Sequence, residues 1–388
     1  MHINEKLLAI KSKIKKNEPI KIGIIGAGSV GMYLLSYLLD SKEDIEIHVV
    51  GRNEEKIKSG INISKVASSI RGYTEKNVKF IKVDLDEIHE IESYFESYTP
   101  DIIVNTSRAY SGVKYGKISW NAIHAYGIWT PLSVKYLKNI MEAHTKVNCK
   151  SIVINTSYSD AANKWVGTSG INGPDFGSGN LNHLIPRIKF AVRDSLNLSY
   201  SDKIDVHIAT SHFHNVVISK SGNPTPYPPL LKIFVNDEEL DICTDHIYKQ
   251  CAIVMPTDHT RNQMNASSNY DIISTIINSL RTETDGLFHS PGPLNLIGGY
   301  PVKIDGENAS CSISNSFEIE DMKETNRHSI YLDGIENVEN GTLTYTSELI
   351  EKVKKEFNVK LPKEVKLNDS NKVADLLIEK IIKKYAVS

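Results

Sequence analysis

The residues Gly26-Ala-Gly-Ser-Val-Gly31, set directly after the apolar run Ile20-Lys-Ile-Gly-Ile-Ile25, constrain this chain more than any other segment. An apolar strand that ends in Gly-x-Gly-x-x-Gly and continues as Met32-Tyr-Leu-Leu-Ser-Tyr-Leu-Leu39 predicts a strand, a tight turn and a helix. Gly26 permits the turn, Gly28 lets the backbone approach a pyrophosphate, and Gly31 lets the helix pack closely on the strand. Ser29 and Val30 open the helix, whose free N–H groups and positive dipole end favour phosphate. The unit therefore predicts dinucleotide binding. A glycine turn needed only for strand–helix packing is the structural alternative.

A chain of 388 residues is long for one compact domain, so two lobes are expected. Up to residue 160 the pattern alternates. Ile45–Val50, Val78–Val83, Asp101–Thr106 and Ser151–Thr156 are rich in isoleucine and valine and read as buried parallel strands. Helical stretches lie between them at Glu87–Tyr98 and Trp120–His144, the second interrupted by Pro131. The alternation predicts an α/β fold, with a Rossmann domain built on a doubly wound parallel sheet over residues 19–160. Residues 161–360 read as an α+β substrate domain: a helix over 182–196, strands across 205–219, and a hairpin turning at Asn236-Asp237. Helices over 246–254, 267–281 and 347–357 and short strands over 294–304 and 310–314 complete that domain. Residues 1–18 (Leu7, Leu8, Ile10 and Ile14 among lysines) predict an added helix packed on the body or on another subunit. Residues 361–388 predict a second, peripheral helical extension.

A net charge of −2 gives no electrostatic case for nucleic acid or a membrane surface as partner. No apolar stretch reaches spanning length and no hydrophobic signal core follows the N-terminus. The four cysteines lack metal-knuckle spacing and read as reduced thiols, which points to the cytoplasm. His212-x-His214 would place two imidazoles on one face of a strand, yet no third or fourth ligand spacing accompanies it, so no metal is expected. The cluster Asn223-Pro-Thr-Pro-Tyr-Pro-Pro229 reads as a rigid loop framing the site or an interface, with a partner-binding polyproline segment as the alternative.

Cofactor preference turns on the end of the second strand. An acidic residue there bonds the ribose 2′-hydroxyl of NAD, but this strand runs into Gly51-Arg52-Asn53. A small residue makes room for a 2′-phosphate, and Arg52 offers charge-assisted hydrogen bonds to it. NADP(H) is favoured, with NAD(H) and a merely solvated Arg52 as the alternatives.

The order of segments resembles the lactate/malate dehydrogenase superfamily. Asp101-Ile-Ile-Val-Asn-Thr-Ser107 stands where that family has its strand beside the nicotinamide, which implies Thr106 and Ser107 as cofactor contacts. Ser151-Ile-Val-Ile-Asn-Thr-Ser-Tyr-Ser-Asp160 is similar to the strand running into Asn-Pro-x-Asp, with Ser157 and Tyr158 in the Asn-Pro places. Gly177-Ser-Gly-Asn-Leu-Asn-His-Leu-Ile-Pro-Arg187 resembles the family's segment ending in the substrate arginine. Asp205-Val-His-Ile-Ala-Thr-Ser-His212 matches the strand ending in the catalytic histidine, and Leu296–Ile304 and Ser347–Phe357 match two later segments.

This resemblance implies hydride transfer between a nicotinamide and a carboxylate-bearing carbonyl or imine, with His212 as acid/base and Arg187 gripping the carboxylate. It also implies a homodimer or homotetramer. The family's aspartate is missing: His183 or Leu184 stands in its place, so either Asp160 or Asp175 supports the imidazole or His212 works without a carboxylate. Arg108 stands near the family's mobile arginine, His124 replaces an asparagine, and His183 and Arg187 complete the expected substrate contacts. Tyr110 and Tyr115 add bulk that suits a larger 2-oxo acid or its imine. An opine- or saccharopine-type reductase is the nearest alternative, and a nucleotide-binding sensor without turnover is the other.

Overall fold

The isoleucine-rich runs form one parallel sheet, seen in a computed structural model that describes residues 2–110, 112–256 and 258–385. Ser111 of the loop after the fourth strand and residues 386–388 of the C-terminal extension lie outside the described residues. Helix α1 (Ile3–Lys15) precedes β1 (Ile20–Ile25), α2 (Ser29–Leu39), β2 (Ile45–Gly51) and α3 (Glu54–Ile70). Then come β3 (Asn77–Lys82), α4 (Ile88–Tyr98), β4 (Ile102–Asn105), α5 (Gly112–Ile118), α6 (Thr130–Lys146) and β5 (Ile152–Asn155). Helix α7 (Ser159–Gly167) and the short β6 (Phe176–Gly177) close the sheet.

The strand order is β3-β2-β1-β4-β5-β6, all parallel, with Ile25 in register with Val50 on one side and Asn105 on the other. The order reverses between β1 and β4, and in doubly wound sheets ligands bind outside the strand carboxyl ends at such a point. Both faces are covered by helices, which is why the central strands are apolar along their length rather than alternating. Pro131 does not interrupt a helix. It sits in the first turn of α6, where a missing N–H costs nothing, and residues 119–129 form separate short turns before it.

Helix α1 packs on the body. Leu7 and Ile10 are buried with the apolar residues of β1 and α2, while Leu8 faces outward. The buried Lys6 Nζ lies 2.8 and 2.6 Å from the two carboxylate oxygens of Asp175, which also accepts the Val153 amide at 2.8 Å. Asp175 is thereby committed to holding α1 on the sheet and is not the support for His212.

The second half continues with α8 (Asn180–Leu196), β7 (Ile204–Ala209), α9 (His212–Ser221), β8 (Leu230–Val235), β9 (Glu238–Glu239) and α10 (Thr244–Gln250). It goes on through α11 (Asn262–Thr282), β10 (Gly286–Pro291), β11 (Gly299–Ile304), β12 (Ala309–Ser310) and α12 (Ile319–Leu332). The chain then forms β13 (Ile335–Glu339), β14 (Thr342–Tyr345), α13 (Ser347–Phe357), β15 (Glu364–Lys366) and α14 (Ser370–Leu377). These strands make three small antiparallel sheets. The hairpin turns at Asn236 and Asp237, both at positive φ (50° and 70°), the geometry that matches the strand twist.

Two expectations fail here. The strand expected across 205–219 stops at Ala209, and His212 instead opens α9 behind the N-cap Ser211. On a helix His212 and His214 diverge rather than share a face. His214 is buried, its ring nitrogens 2.8 Å from Ser329 Oγ and 2.8 Å from the Pro226 carbonyl. Second, the C-terminal helix is not peripheral. Leu377, Ile381 and Ile382 are fully buried against Leu137 and Ile140 of α6, and residues 364–366 pair with β14.

Candidate functional site

The carboxyl ends of β1, β2, β4 and β5 open onto a cavity of about 990 Å³, walled on the far side by α8, α9 and the approach to α11. The glycine turn forms one end. Gly26 has φ 100°, and a Cβ there would come within 2.9 Å of the Ser107 nitrogen. A Cβ on Gly31 would overlap the Gly26 carbonyl, so Gly31 packs helix on strand and does not line the cavity. Gly28 faces open space, with nothing within 4 Å of where a Cβ would stand. It also N-caps α2 with no side chain satisfying the first-turn amides at Ser29 and Val30. Open room over uncapped amides fits a pyrophosphate.

The other expected cofactor contacts lie around this turn. Thr106 Oγ1 donates to the Gly26 carbonyl at 2.6 Å, tying β4 to the turn, and Ser107 Oγ donates to Asn105 Oδ1 at 2.6 Å. Asn53 lines the cavity but its side chain is engaged as the N-cap of α3, accepting the Lys56 amide at 3.0 Å. Arg52 is 62% exposed, with Nη1 3.6 Å from Asp84 and 3.8 Å from Asp86. Exposed bridges of that length contribute little, so the guanidinium is free to leave them.

At the other end stands His212. Its backbone N–H donates to Asp160 Oδ1 at 2.9 Å, and its ring lies edge-on to Tyr126 and Tyr158, at 4.8 and 5.2 Å between centroids. Asp160 therefore holds the main chain of His212 and not its ring. Burial pushes the Asp160 carboxyl up to about 6, against the opposing pull of His212.

The carboxylate beside the imidazole is Asp333, a residue that sequence reasoning missed. Its Oδ2 is 3.4 Å from His212 Nδ1, an ion-pair distance without hydrogen-bond alignment. Asp333 is fully buried at the C-terminal end of α12. It accepts the Tyr126 amide at 2.7 Å and the Tyr158 hydroxyl at 2.5 Å. Burial next to this carboxylate raises the Tyr158 phenol well above its usual range, so it remains a donor. No motif marks Asp333, because it lies 121 residues beyond His212 and is brought in by the packing of α12 on α9.

Arg187 is buried on α8. Nη1 donates to the Cys251 carbonyl at 2.8 Å, Nη2 lies 3.0 Å from the Met255 sulfur, and Nε has no partner. His183, one turn earlier, is pushed down to about 3, first by burial and then by the nearby Arg261 and Arg187. It is a neutral imidazole, and its Nε2 is unpartnered. Arg108 lines the cavity and donates to the Thr156 carbonyl at 3.0 Å. His124 is not brought to the site. It is exposed at φ 50° and packs against Trp120, because residues 119–123 wind as a wide helical turn that carries it outward.

Residues 22–122 match the family model described as the saccharopine dehydrogenase NADP-binding domain. Among solved structures, the chain superposes on a lactate dehydrogenase from Eimeria maxima, solved with NADH and oxamate. The TM-score is 0.51 at 13% identity, over 81% of this chain and 92% of that one. A malate dehydrogenase from Plasmodium falciparum gives 0.52 at 17% identity, over 80% and 95%. This chain has the lactate/malate dehydrogenase fold. No curated protein matches the sequence. At these identities the structural likeness is one of fold, spanning both halves of the chain, while the domain match covers β1 to β4 of the first sheet and ends before β5. Together they give the fold of the chain and, over residues 22–122, its likeness to an NADP-binding domain. Among the described residues no helix is long and apolar enough to cross a membrane.

Proposed function

We propose that this protein is an NADP(H)-preferring oxidoreductase that reduces a carboxylate-bearing carbonyl or imine. The observation that carries the reading is one cavity that joins the glycine turn to His212 and Arg187, with Asp333 behind the imidazole. The bound nicotinamide would supply the hydride; the chain's own residues orient the substrate and move a proton. Gly28 and the first amides of α2 hold the pyrophosphate, and Arg52 with Lys56 grips the 2′-phosphate. Arg187 binds the substrate carboxylate through its free Nε edge. His212 delivers a proton to the substrate heteroatom, and Asp333 stabilises the imidazolium before that transfer. Asp160 fixes the position of the His212 main chain. Desolvation inside the cavity strengthens each of these interactions relative to water.

A saccharopine-type reductase is the second reading, and the family match of residues 22–122 favours it. Its discriminator is a requirement for an amino co-substrate. A sensor without turnover is the other alternative: the carboxylate beside His212 weighs against it, and the altered loop at residues 107–117 still supports it. The helix face of Ile63, Val66 and Ile70 on α3, exposed and apolar, supports self-association into a homodimer or homotetramer.

The test is to measure NADPH and NADH binding by fluorescence, then NADPH oxidation with a panel of 2-oxo acids, with and without amines. NADPH-dependent reduction of an oxo acid alone is the expected result. Turnover only with an amine moves the assignment to the second reading, and absence of nucleotide binding overturns both.

A further inference from the structure

On the reading of His212 as the acid/base of this cavity, we propose that His214 and Ser329 are positioning residues: they lock α12 onto α9 and so set Asp333 against the His212 imidazole. Ser329 and Asp333 stand four residues apart at the end of α12, about one helical turn, and both meet the start of α9. Ser329 Oγ is 2.6 Å from Ser211 Oγ and accepts the Ser211 amide at 3.3 Å, while Asp333 Oδ2 is 3.4 Å from His212 Nδ1. One turn of α12 thus grips the residue before His212 and faces the ring of His212 itself.

The protons along this contact have a fixed order. The Pro226 carbonyl can only accept, so His214 Nε2, 2.8 Å away, carries the hydrogen. Burial pushes the His214 imidazole down and keeps it neutral, so Nδ1 is an acceptor and the Ser329 hydroxyl, 2.8 Å away, donates to it. Ser329 Oγ then has its lone pairs free for the Ser211 amide and hydroxyl. The proline loop is the fixed end. Pro224, Pro226, Pro228 and Pro229 lock their φ angles, and Tyr227 stacks on His328 of α12, 4.4 Å between centroids and 16° between planes. The loop therefore holds α12 at His328 directly and at Ser329 through His214.

Ser211, His214 and Ser329 are fully buried and lie outside the cavity lining, so they act on the site through other residues. What they control is distance. At 3.4 Å and out of hydrogen-bond alignment, the Asp333–His212 pair depends on where α12 sits on α9. A misplacement of about 1 Å from a change remote from the chemistry can cost about a hundredfold in rate. The Tyr126 amide and the Tyr158 hydroxyl fix the Asp333 carboxylate but do not touch α9. Asp160 holds the first amide of α9 from the side of α7, and Ser329 holds the preceding residue from the side of α12. The Ser211 side chain makes no capping bond to its own helix, so its hydroxyl serves the contact with Ser329.

The experiment joins steady-state kinetics to 15N NMR of histidine-labelled protein at alkaline pH, which reads the ring nitrogen that carries the proton of neutral His212. Ser329→Ala is expected to lower kcat about tenfold, the order one buried hydrogen bond supplies, with KM and NADPH affinity in place. In an Asp333→Asn background the same change should cost nothing more, because it acts through that carboxylate. His212 should carry its proton on Nδ1, facing Asp333, in the unaltered protein and shift toward Nε2 in Ser329→Ala. Ser211→Ala, which removes no capping bond, should give the same shift and carries the test if Ser329→Ala does not fold. A tautomer that either variant leaves unmoved overturns the proposal, as does a full Ser329→Ala penalty in the Asp333→Asn background. A tautomer shift in a protein that reduces no oxo acid would sustain the positioning of Asp333 on His212 and sink the reductase reading.

Discussion

Asp333 Oδ2 stands 3.4 Å from His212 Nδ1 while accepting the Tyr158 hydroxyl at 2.5 Å, so one buried carboxylate joins an imidazole to a phenol. Asp333 also accepts the Tyr126 amide, and its own carbonyl accepts the Gly127 amide at 2.8 Å. Two hydrogen bonds hold the carboxylate and a third holds its main chain before any substrate arrives. Preorganisation of that kind is what an acid/base partner requires.

Asp333→Asn is expected to lower kcat by about a hundredfold or more, in the range an orienting group supplies to acid–base catalysis. NADPH affinity should remain, since Asp333 is remote from the glycine turn. Tyr158→Phe removes one of the carboxylate's two hydrogen bonds and should cost less. Steady-state kinetics with fluorescence titration of NADPH checks both; equal kcat in Asp333→Asn and the unaltered protein would show that Asp333 does not support His212.

His212→Asn should abolish turnover and leave the nucleotide affinity nearly intact. A parallel loss of NADPH binding would place His212 at the cofactor.

Arg52→Ala is expected to weaken NADPH about tenfold, the size of one charge-assisted contact, and to leave NADH unchanged. The bridges Arg52 makes to Asp84 and Asp86 are exposed, so stability should not move, and paired titrations read the ratio directly.

Stability should fall as pH drops from 7 to 4. Burial pushes His183 and His289 down to about 3 and His144 down to about 4. Each is neutral in the fold and takes up a proton on unfolding, so its stabilising contribution is full above the usual 6.5 and is lost as pH falls toward the folded value. Asp160, raised to about 6, acts in the opposite sense: its contribution is full below the usual 3.8 and is lost as pH rises through 6. Three histidines outweigh one carboxyl. Thermal unfolding across this range tests the sign, and Asp160→Asn should raise Tm at pH 7.5 more than at pH 4.5.

Lys6→Met leaves Asp175 charged, buried and short of a partner, and should destabilise by about 3 kcal/mol, as breaking a buried pair does. Chemical denaturation gives the value. NADPH affinity should stay the same, because the pair lies away from the cavity.

The first sheet was legible almost residue by residue. Ile20–Ile25, Ile45–Val50 and Asp101–Thr106 are strands because a parallel sheet covered on both faces demands continuous apolar runs, a signal that is local and strong. Legibility failed where local pattern and packing disagree. His212-Phe-His214-Asn continues a β-like run, yet a helix starts there, with Ser211 at its N-cap position bonded to Ser329 and Asp160 holding the first amide. The lysine-rich C-terminal helix looked solvated, but its Leu377, Ile381 and Ile382 form one buried stripe whose partners lie more than 200 residues earlier. His124 was placed by position in a helix that the chain does not form.

What the sequence determined by itself was the nucleotide end: Gly26–Gly31, Gly51-Arg52 and the strands that present them lie close together in the chain, so backbone rules suffice. Tertiary structure alone decided the chemical end. Asp333 reaches His212 through the docking of α12 on α9, a contact between residues 121 positions apart that no spacing rule encodes. A carboxylate supports an imidazole by proximity within a few ångströms, and proximity is a property of the packed core rather than of chain order.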